Sequence, residues 1–263
     1  MSGSKVLAEK DFSVVTETSR HRVTPDALSM LYTRYVYAAE FCKGKNVLEV
    51  ACGAGHGLGY LATRARQVVG GDVTLNLLRQ AKQASSRLVP LLRLDAQALP
   101  FRALSFDVIL LYEAIYYLTK PGQFLDECRR VLRPNGLVIL CTVNPEWSDF
   151  NPSPFSTQYF SAIELSELLV KHGFRVQLQG GFPVAKSSFV EVAISLLKRV
   201  AVSFHLIPRT MKGKEFLKRI FFGRLVRLPS QVQEGVATYL APAPLSPSSR
   251  TEGYKVIFAL AYP

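Results

Sequence analysis

Disulfide and zinc chemistry are poorly provided for in this sequence of 263 residues. Its four cysteines, Cys42, Cys52, Cys128 and Cys141, are scattered with no C-x-x-C spacing. The thiols therefore read as reduced. Histidine is equally sparse, with His21, His172 and His205 standing alone, so no metal site is expected. No N-terminal stretch joins a basic start, an apolar run and a small-residue cleavage site, so no secretory signal is expected and the chain reads as cytoplasmic. Internal repeats and coiled-coil heptads are missing too. The apolar stretch from Phe189 to Ile207 is interrupted by Glu191, Lys198 and Arg199, which argues against a membrane span.

Apolar residues make up 48% of the chain, enough at this length for one sizeable core with additions. The net charge of +12 points to an anionic partner. Ten basic residues between Lys186 and Arg227 face only Glu191 and Glu215, so eight of the twelve excess charges lie in that segment. Phe216, Leu217, Ile220, Phe221 and Leu225 recur there at helical spacing, with Lys214, Lys218, Arg224 and Arg227 mostly on the other side. An amphipathic basic helix is the expectation. It suits a lid over a site, peripheral contact with an anionic membrane, or both.

Residues 45 to 59, Lys-Asn-Val-Leu-Glu-Val-Ala-Cys-Gly-Ala-Gly-His-Gly-Leu-Gly, read as a buried strand that breaks into a glycine-rich turn and then a helix. Dinucleotide-binding proteins also place glycines here, but the G-x-G-x-x-G/A frame fails from Gly53 or Gly55, whose sixth positions are Leu58 and Tyr60. What stands instead is Glu49 at the strand end followed by Gly53-x-Gly55-x-Gly57. His56 reads as a helix-start residue near solvent.

Thr24 is an expected N-cap and Pro25 an expected first residue of a helix running to Cys42. Strands are expected at Gln67 to Asp72, Val89 to Leu94, Phe106 to Leu111, Leu137 to Val143, Phe174 to Leu178 and Tyr254 to Tyr262. Helices are expected at Leu58 to Arg66, Leu75 to Arg87 and Gly122 to Leu132, the last capped by Arg133-Pro134-Asn135-Gly136. Another runs from the capping box Ser161-Ala-Ile-Glu164 to Lys171. Ala241 to Ser249 reads as a Pro/Ser-rich linker. Strands alternating with helices predict an α/β protein with a doubly wound, mainly parallel sheet and a site at the strand carboxyl ends.

The turn Glu49-to-Gly57, Asp72 nineteen residues after Gly53, and Leu94-Asp95-Ala96-Gln97-Ala98-Leu99-Pro100-Phe101 together resemble the class I S-adenosylmethionine (SAM) dependent methyltransferases, of the small-molecule quinone and natural-product branch. The resemblance covers residues 45 to 182 and returns at 253 to 263. It implies a Rossmann-like sheet of seven strands whose last strand, Tyr254 to Tyr262, is antiparallel. The implied domains are an N-terminal helical cap (1–44), a SAM-binding core (45–183 and 251–263) and a helical insertion with linker (184–250). For SAM, and its product S-adenosylhomocysteine, the resemblance implies Glu49, Ala51, Gly53, Gly55 and Gly57 at the turn. Asp72 would hold the ribose, Val73 the adenine face, Asp95 and Ala96 the adenine amino end, and Tyr112 would pack on the cofactor.

Methyl transfer from a sulfonium needs few catalytic groups, since its donor is already activated. Tyr112-Glu113-Ala114-Ile115-Tyr116-Tyr117 falls on the expected transfer face, so Glu113 is the first candidate for base or acceptor-orienting group and Tyr116 its companion. An equally weighted reading pairs Glu113 with a helix-terminal arginine. Tyr117 and the single tryptophan, Trp147, are candidate acceptor contacts. The expected enzyme methylates an oxygen or carbon of a small, lipophilic acceptor. An RNA or nucleoprotein methyltransferase, or binder, is the alternative; it is disfavoured because no nucleic-acid module accompanies the core and the basic segment is too apolar.

Overall fold

The computed structural model describes residues 11–19, 21–84, 89–184, 225–246 and 251–263. The basic helices expected between 184 and 228 fall almost wholly outside these residues, and with them the membrane-contact and lid expectations. Among the described residues no helix is long and apolar enough to cross a membrane.

Ten strands and five α-helices follow in the order β1 (Arg22–Val23), α1 (Pro25–Cys42), β2 (Asn46–Val50), α2 (Leu58–Ala62), β3 (Gln67–Asp72), α3 (Leu75–Ala84), β4 (Leu91–Arg93), β5 (Phe106–Tyr112), α4 (Pro121–Val131), β6 (Leu132–Val143), α5 (Ala162–Lys171), β7 (Arg175–Pro183), β8 (Val226–Arg227), β9 (Ala243–Leu245) and β10 (Tyr254–Tyr262). The main sheet runs β4-β3-β2-β5-β6-β10-β7-β9. Strands β2 to β6 pair in parallel, and β10 lies antiparallel to both β6 and β7. The seven expected strands are therefore present, with an eighth at the edge. That addition is β9, antiparallel to β7, within the stretch read as a linker. Pro244 opposes Gln179 there, and an edge strand tolerates a residue with no N–H to give.

Alternating residues send two apolar layers to opposite faces. Val47, Val108, Leu110, Ile139 and Phe258 pack with α1 and α2. Leu48, Ile109, Leu111, Val138 and Leu140 pack with α4 and α5. Both faces are covered, as near-continuous hydrophobic strands require.

Local signals behave as expected at several ends. Thr24 Oγ1 accepts from Ala27 N at 3.1 Å and Pro25 opens α1. Ser161 and Glu164 form the reciprocal capping box of α5, and Gly173, at φ +79°, follows its last turn. Several spans differ from expectation, β7 among them, which runs to Pro183 rather than ending at Leu178. Helix α2 stops at Ala62, and β6 begins at Leu132 rather than Leu137. Leu132 pairs with Phe106 and Leu137 with Val108, so residues 133–136 bulge from the strand, with Asn135 at φ 63°.

Helix α1 is fastened to β2 by a buried polar contact. Tyr35 Oη donates to Glu49 Oε1 at 2.6 Å, and Glu49 is only 2% exposed. Burial pushes its carboxyl up to about 8; the nearby charge of Asp72 adds to the shift and the Tyr35 hydrogen bond opposes it. Between the ordinary value of 4.5 and about 8 the folded chain holds a proton at Glu49 that the unfolded chain has lost. Stability from this group is thus lost as pH rises through that window. Glu49→Gln should match the wild type below pH 4.5 and exceed it in stability above pH 8. Urea denaturation across the range checks this; parallel wild-type and variant curves would rule it out.

Candidate functional site

The chain runs outward from β2 through β3 to β4, then returns to place β5 on the other side of β2. Connections leaving in opposite directions open a crevice at the carboxyl ends of β2 and β5. A cleft of about 360 Å³ occupies this place, within the range for small-molecule sites.

One end is built from the exits of β2, β3 and β4. Val50, Ala51 and Gly53 line it, with Asp72, Val73, Leu94, Asp95 and Ala96. Ala51 exits β2 at φ 55°, a backbone region that costs non-glycine residues energy. Asp72 is fixed by two backbone donors, Gly53 N to Oδ2 at 2.8 Å and Thr74 N to Oδ1 at 2.7 Å. Burial raises its pKa, while the Thr74 and Gly53 hydrogen bonds act the other way. Asp95 Oδ1 accepts from Gln97 N at 2.9 Å.

The other end follows β5. Tyr112, Glu113, Ala114, Tyr116 and Tyr117 line it. Glu113 also has a left-handed backbone, φ 49°. Its Oε1 is 2.6 Å from Arg34 Nη2, and its Oε2 accepts from Tyr116 Oη and Val143 N, both at 3.2 Å. Burial alone would disfavour the charged guanidinium, yet Glu113 opposite holds the pKa of Arg34 above the ordinary arginine value. The arginine comes from the middle of α1, not from a helix end. Tyr112 Oη donates to the Arg34 carbonyl at 3.2 Å. Tyr116 stacks on Tyr159 with ring centroids 4.7 Å apart, and Tyr117 Oη meets Ser153 Oγ at 2.7 Å. Burial raises the pKa of both phenols, so both stay neutral donors.

Of the turn residues, Gly53 alone of the three glycines lines the cleft. Gly55 and Gly57 are needed for packing instead: a Cβ on Gly55 would stand 2.8 Å from Ala81 Cβ, and one on Gly57 would fall 1.9 Å from the Tyr35 ring. Glu49 lies behind the turn, off the cleft wall, with its Oε2 buried and without a partner among the described residues. Trp147 is likewise off the wall, with Lys255 Nζ 5.7 Å from its ring centroid. His56 is buried rather than near solvent; its Nδ1 donates to Pro229 O at 2.8 Å and burial lowers its pKa.

Sequence reasoning missed the roof. Phe12, Val15 and Thr16 line the cleft from the N-terminal segment, where Phe12 meets Tyr117 at 5.0 Å between centroids. With no periodicity in that segment, no local signal marked them.

The set fits SAM by its chemistry. Two carboxylates at neighbouring strand ends suit hydroxyl and amine donors, and Val73, Leu94 and Ala96 between them suit a flat apolar ring.

The profile of a family described as "Methyltransferase domain" matches residues 48–140. A chain of Mycolicibacterium smegmatis named as an S-adenosylmethionine-dependent methyltransferase is 35% identical over 149 residues, covering 54% of this chain and 57% of that one. The ubiquinone biosynthesis O-methyltransferase of Bradyrhizobium diazoefficiens is 27% identical over 150 residues, 53% of this chain and 58% of the relative. The chain thus spans little more than half the length of these curated relatives. A SAM-dependent methyltransferase structure from Archaeoglobus fulgidus shares the fold, with TM-score 0.56, 14% identity, and coverage of 91% and 95% of the two chains. Glycine-rich turn, strand-end acids and sheet order thus coincide with the stretch that matches the methyltransferase-domain profile, and there the chain is similar to SAM-dependent methyltransferases.

Proposed function

We propose that this protein transfers a methyl group from SAM to an oxygen or carbon of a small, lipophilic acceptor. The observation that carries the reading is the convergence of Asp72 and Asp95 on one cleft with Gly53, Val73 and Ala96. Asp72 would accept from the ribose hydroxyls, and Asp95 with Ala96 would take the adenine amino end. Tyr112 would pack against the cofactor from the β5 side.

When bound, SAM supplies a methyl group already activated on a sulfonium. Alignment and exclusion of water are then the protein's main tasks. Phe12, Tyr116 and Tyr117 supply a largely aromatic wall for the acceptor, which suits a lipophilic molecule. The names of the relatives, ubiquinone biosynthesis O-methyltransferase among them, support the same class. With Arg34, Tyr116 and Val143 N on its two oxygens, Glu113 is better suited to orienting the acceptor and the loop than to collecting a proton. Its carboxylate fixes Tyr116 Oη beside the acceptor space. In this reading the described part of residues 1–44 caps the core (45–183 and 251–263).

Asp72→Ala should weaken SAM binding by about 1.5–3 kcal/mol, the scale for hydrogen bonds to a charged group. Calorimetry that finds SAM affinity unchanged in both Asp72→Ala and Asp95→Ala would remove the basis of the reading.

Glu113→Gln should lower turnover roughly 10²-fold through misplaced groups, with SAM affinity close to wild type. Equal losses in both would reduce Glu113 to a structural residue.

A further inference from the structure

The turn that enters α2 closes through Leu58 N, which donates to Gly55 O at 3.2 Å, and a distant side chain adds a second bridge across it. Gly59 is the second residue of α2, so its N–H is among the donors that a helix start leaves without a partner of its own. Here Gly59 N donates to Gln231 Oε1 at 3.0 Å, and Gly55 O accepts from Gln231 Nε2 at 2.9 Å. A side-chain carboxamide from 172 residues downstream thus links the helix start to the turn before it. The helical pattern begins with Leu61 N donating to Gly57 O at 3.0 Å. Gly59 itself answers to this contact, since a Cβ there would stand 2.5 Å from Gln231 Oε1.

The segment that delivers Gln231 is firmly seated on either side of it. Val232 N donates to His56 O at 2.7 Å and Pro229 O accepts from His56 Nδ1. Glu234 accepts from Tyr32 and Tyr60, each at 2.9 Å. The carboxamide is therefore held at a set depth in the turn.

Resting on the SAM reading above, we propose that Gln231 is a positioning residue of the cofactor site, bracing the turn whose other side, Ala51 and Gly53, forms the cleft wall. Without the brace Gly59 N can bond directly to the second lone pair of Gly55 O. The fold then loses little, because both backbone groups find a partner, but the turn tightens and its cleft face moves. Binding and stability should accordingly separate, which a merely structural side chain would not allow.

The test is calorimetry with SAM and thermal melting on the full chain carrying Gln231→Leu, Gln231→Asn or Glu234→Gln. Gln231→Leu should bind SAM about tenfold more weakly, the net worth of one hydrogen bond, with its melting temperature close to wild type. Gln231→Asn, too short to bridge, should behave the same way, and the KM for SAM should rise while kcat at saturating SAM holds. Glu234→Gln, whose contacts avoid the turn, should lower the melting temperature and keep SAM affinity within about twofold. Wild-type affinity in Gln231→Leu, or affinity falling only in step with melting temperature, would overturn the proposal alone. A wild-type chain that binds no SAM would overturn the reading beneath it.

Discussion

Two parallel strands lie side by side while the connections that follow them depart in opposite directions. That constraint at β2 and β5 leaves a space no helix can fill, because the crossovers are already committed to either flank. Both strands leave it through a left-handed residue, Ala51 on one side and Glu113 on the other. Such backbone persists only where its surroundings over-determine it. For Ala51 the surroundings are the glycine turn and Asp72; for Glu113 they are the buried Arg34, Tyr116 and Val143 N.

Much of that support comes from outside residues 48–140, the part that matches the methyltransferase profile. Helix α1 supplies Arg34 to one strand exit and Tyr35 to Glu49 and Gly57 at the other. The N-terminal segment supplies the roof, and residues 229–234 grip the turn from behind. The motif-bearing strands thus contribute the groups that would meet a ligand, and flanking elements set their positions.

What the sequence made legible was mostly local. Caps at Thr24 and Ser161 depend on residues within one turn, and the alternation of strand and helix depends on windows of a dozen residues. Asp72 and Asp95 could be picked out because each closes a short apolar run. The rest is set by distant partners. Gly57 is a glycine because of Tyr35, twenty-two positions earlier, and nothing near it in the chain distinguishes that cause from a ligand's approach. Ala243–Leu245 carries the proline of a linker and becomes a strand because β7 presents an open edge. Gln231 has no local signature at all, since its role lies in the two glycines it bridges.

Strand β10 sits between β6 and β7, with Phe258 opposite Cys141 on one side and Gln179 on the other. On the ribosome, β6 and β7 are made well before the strand that joins them. Until Tyr254–Tyr262 emerges, β6 has an open edge and β7 has no place in the parallel sheet, while residues 184–253 are already out. A nascent chain in that condition displays the unpaired backbone that invites association with other chains. Insertion of β10 therefore withdraws two unpaired strand edges in one step, joining β7 to the parallel strands through a single late segment.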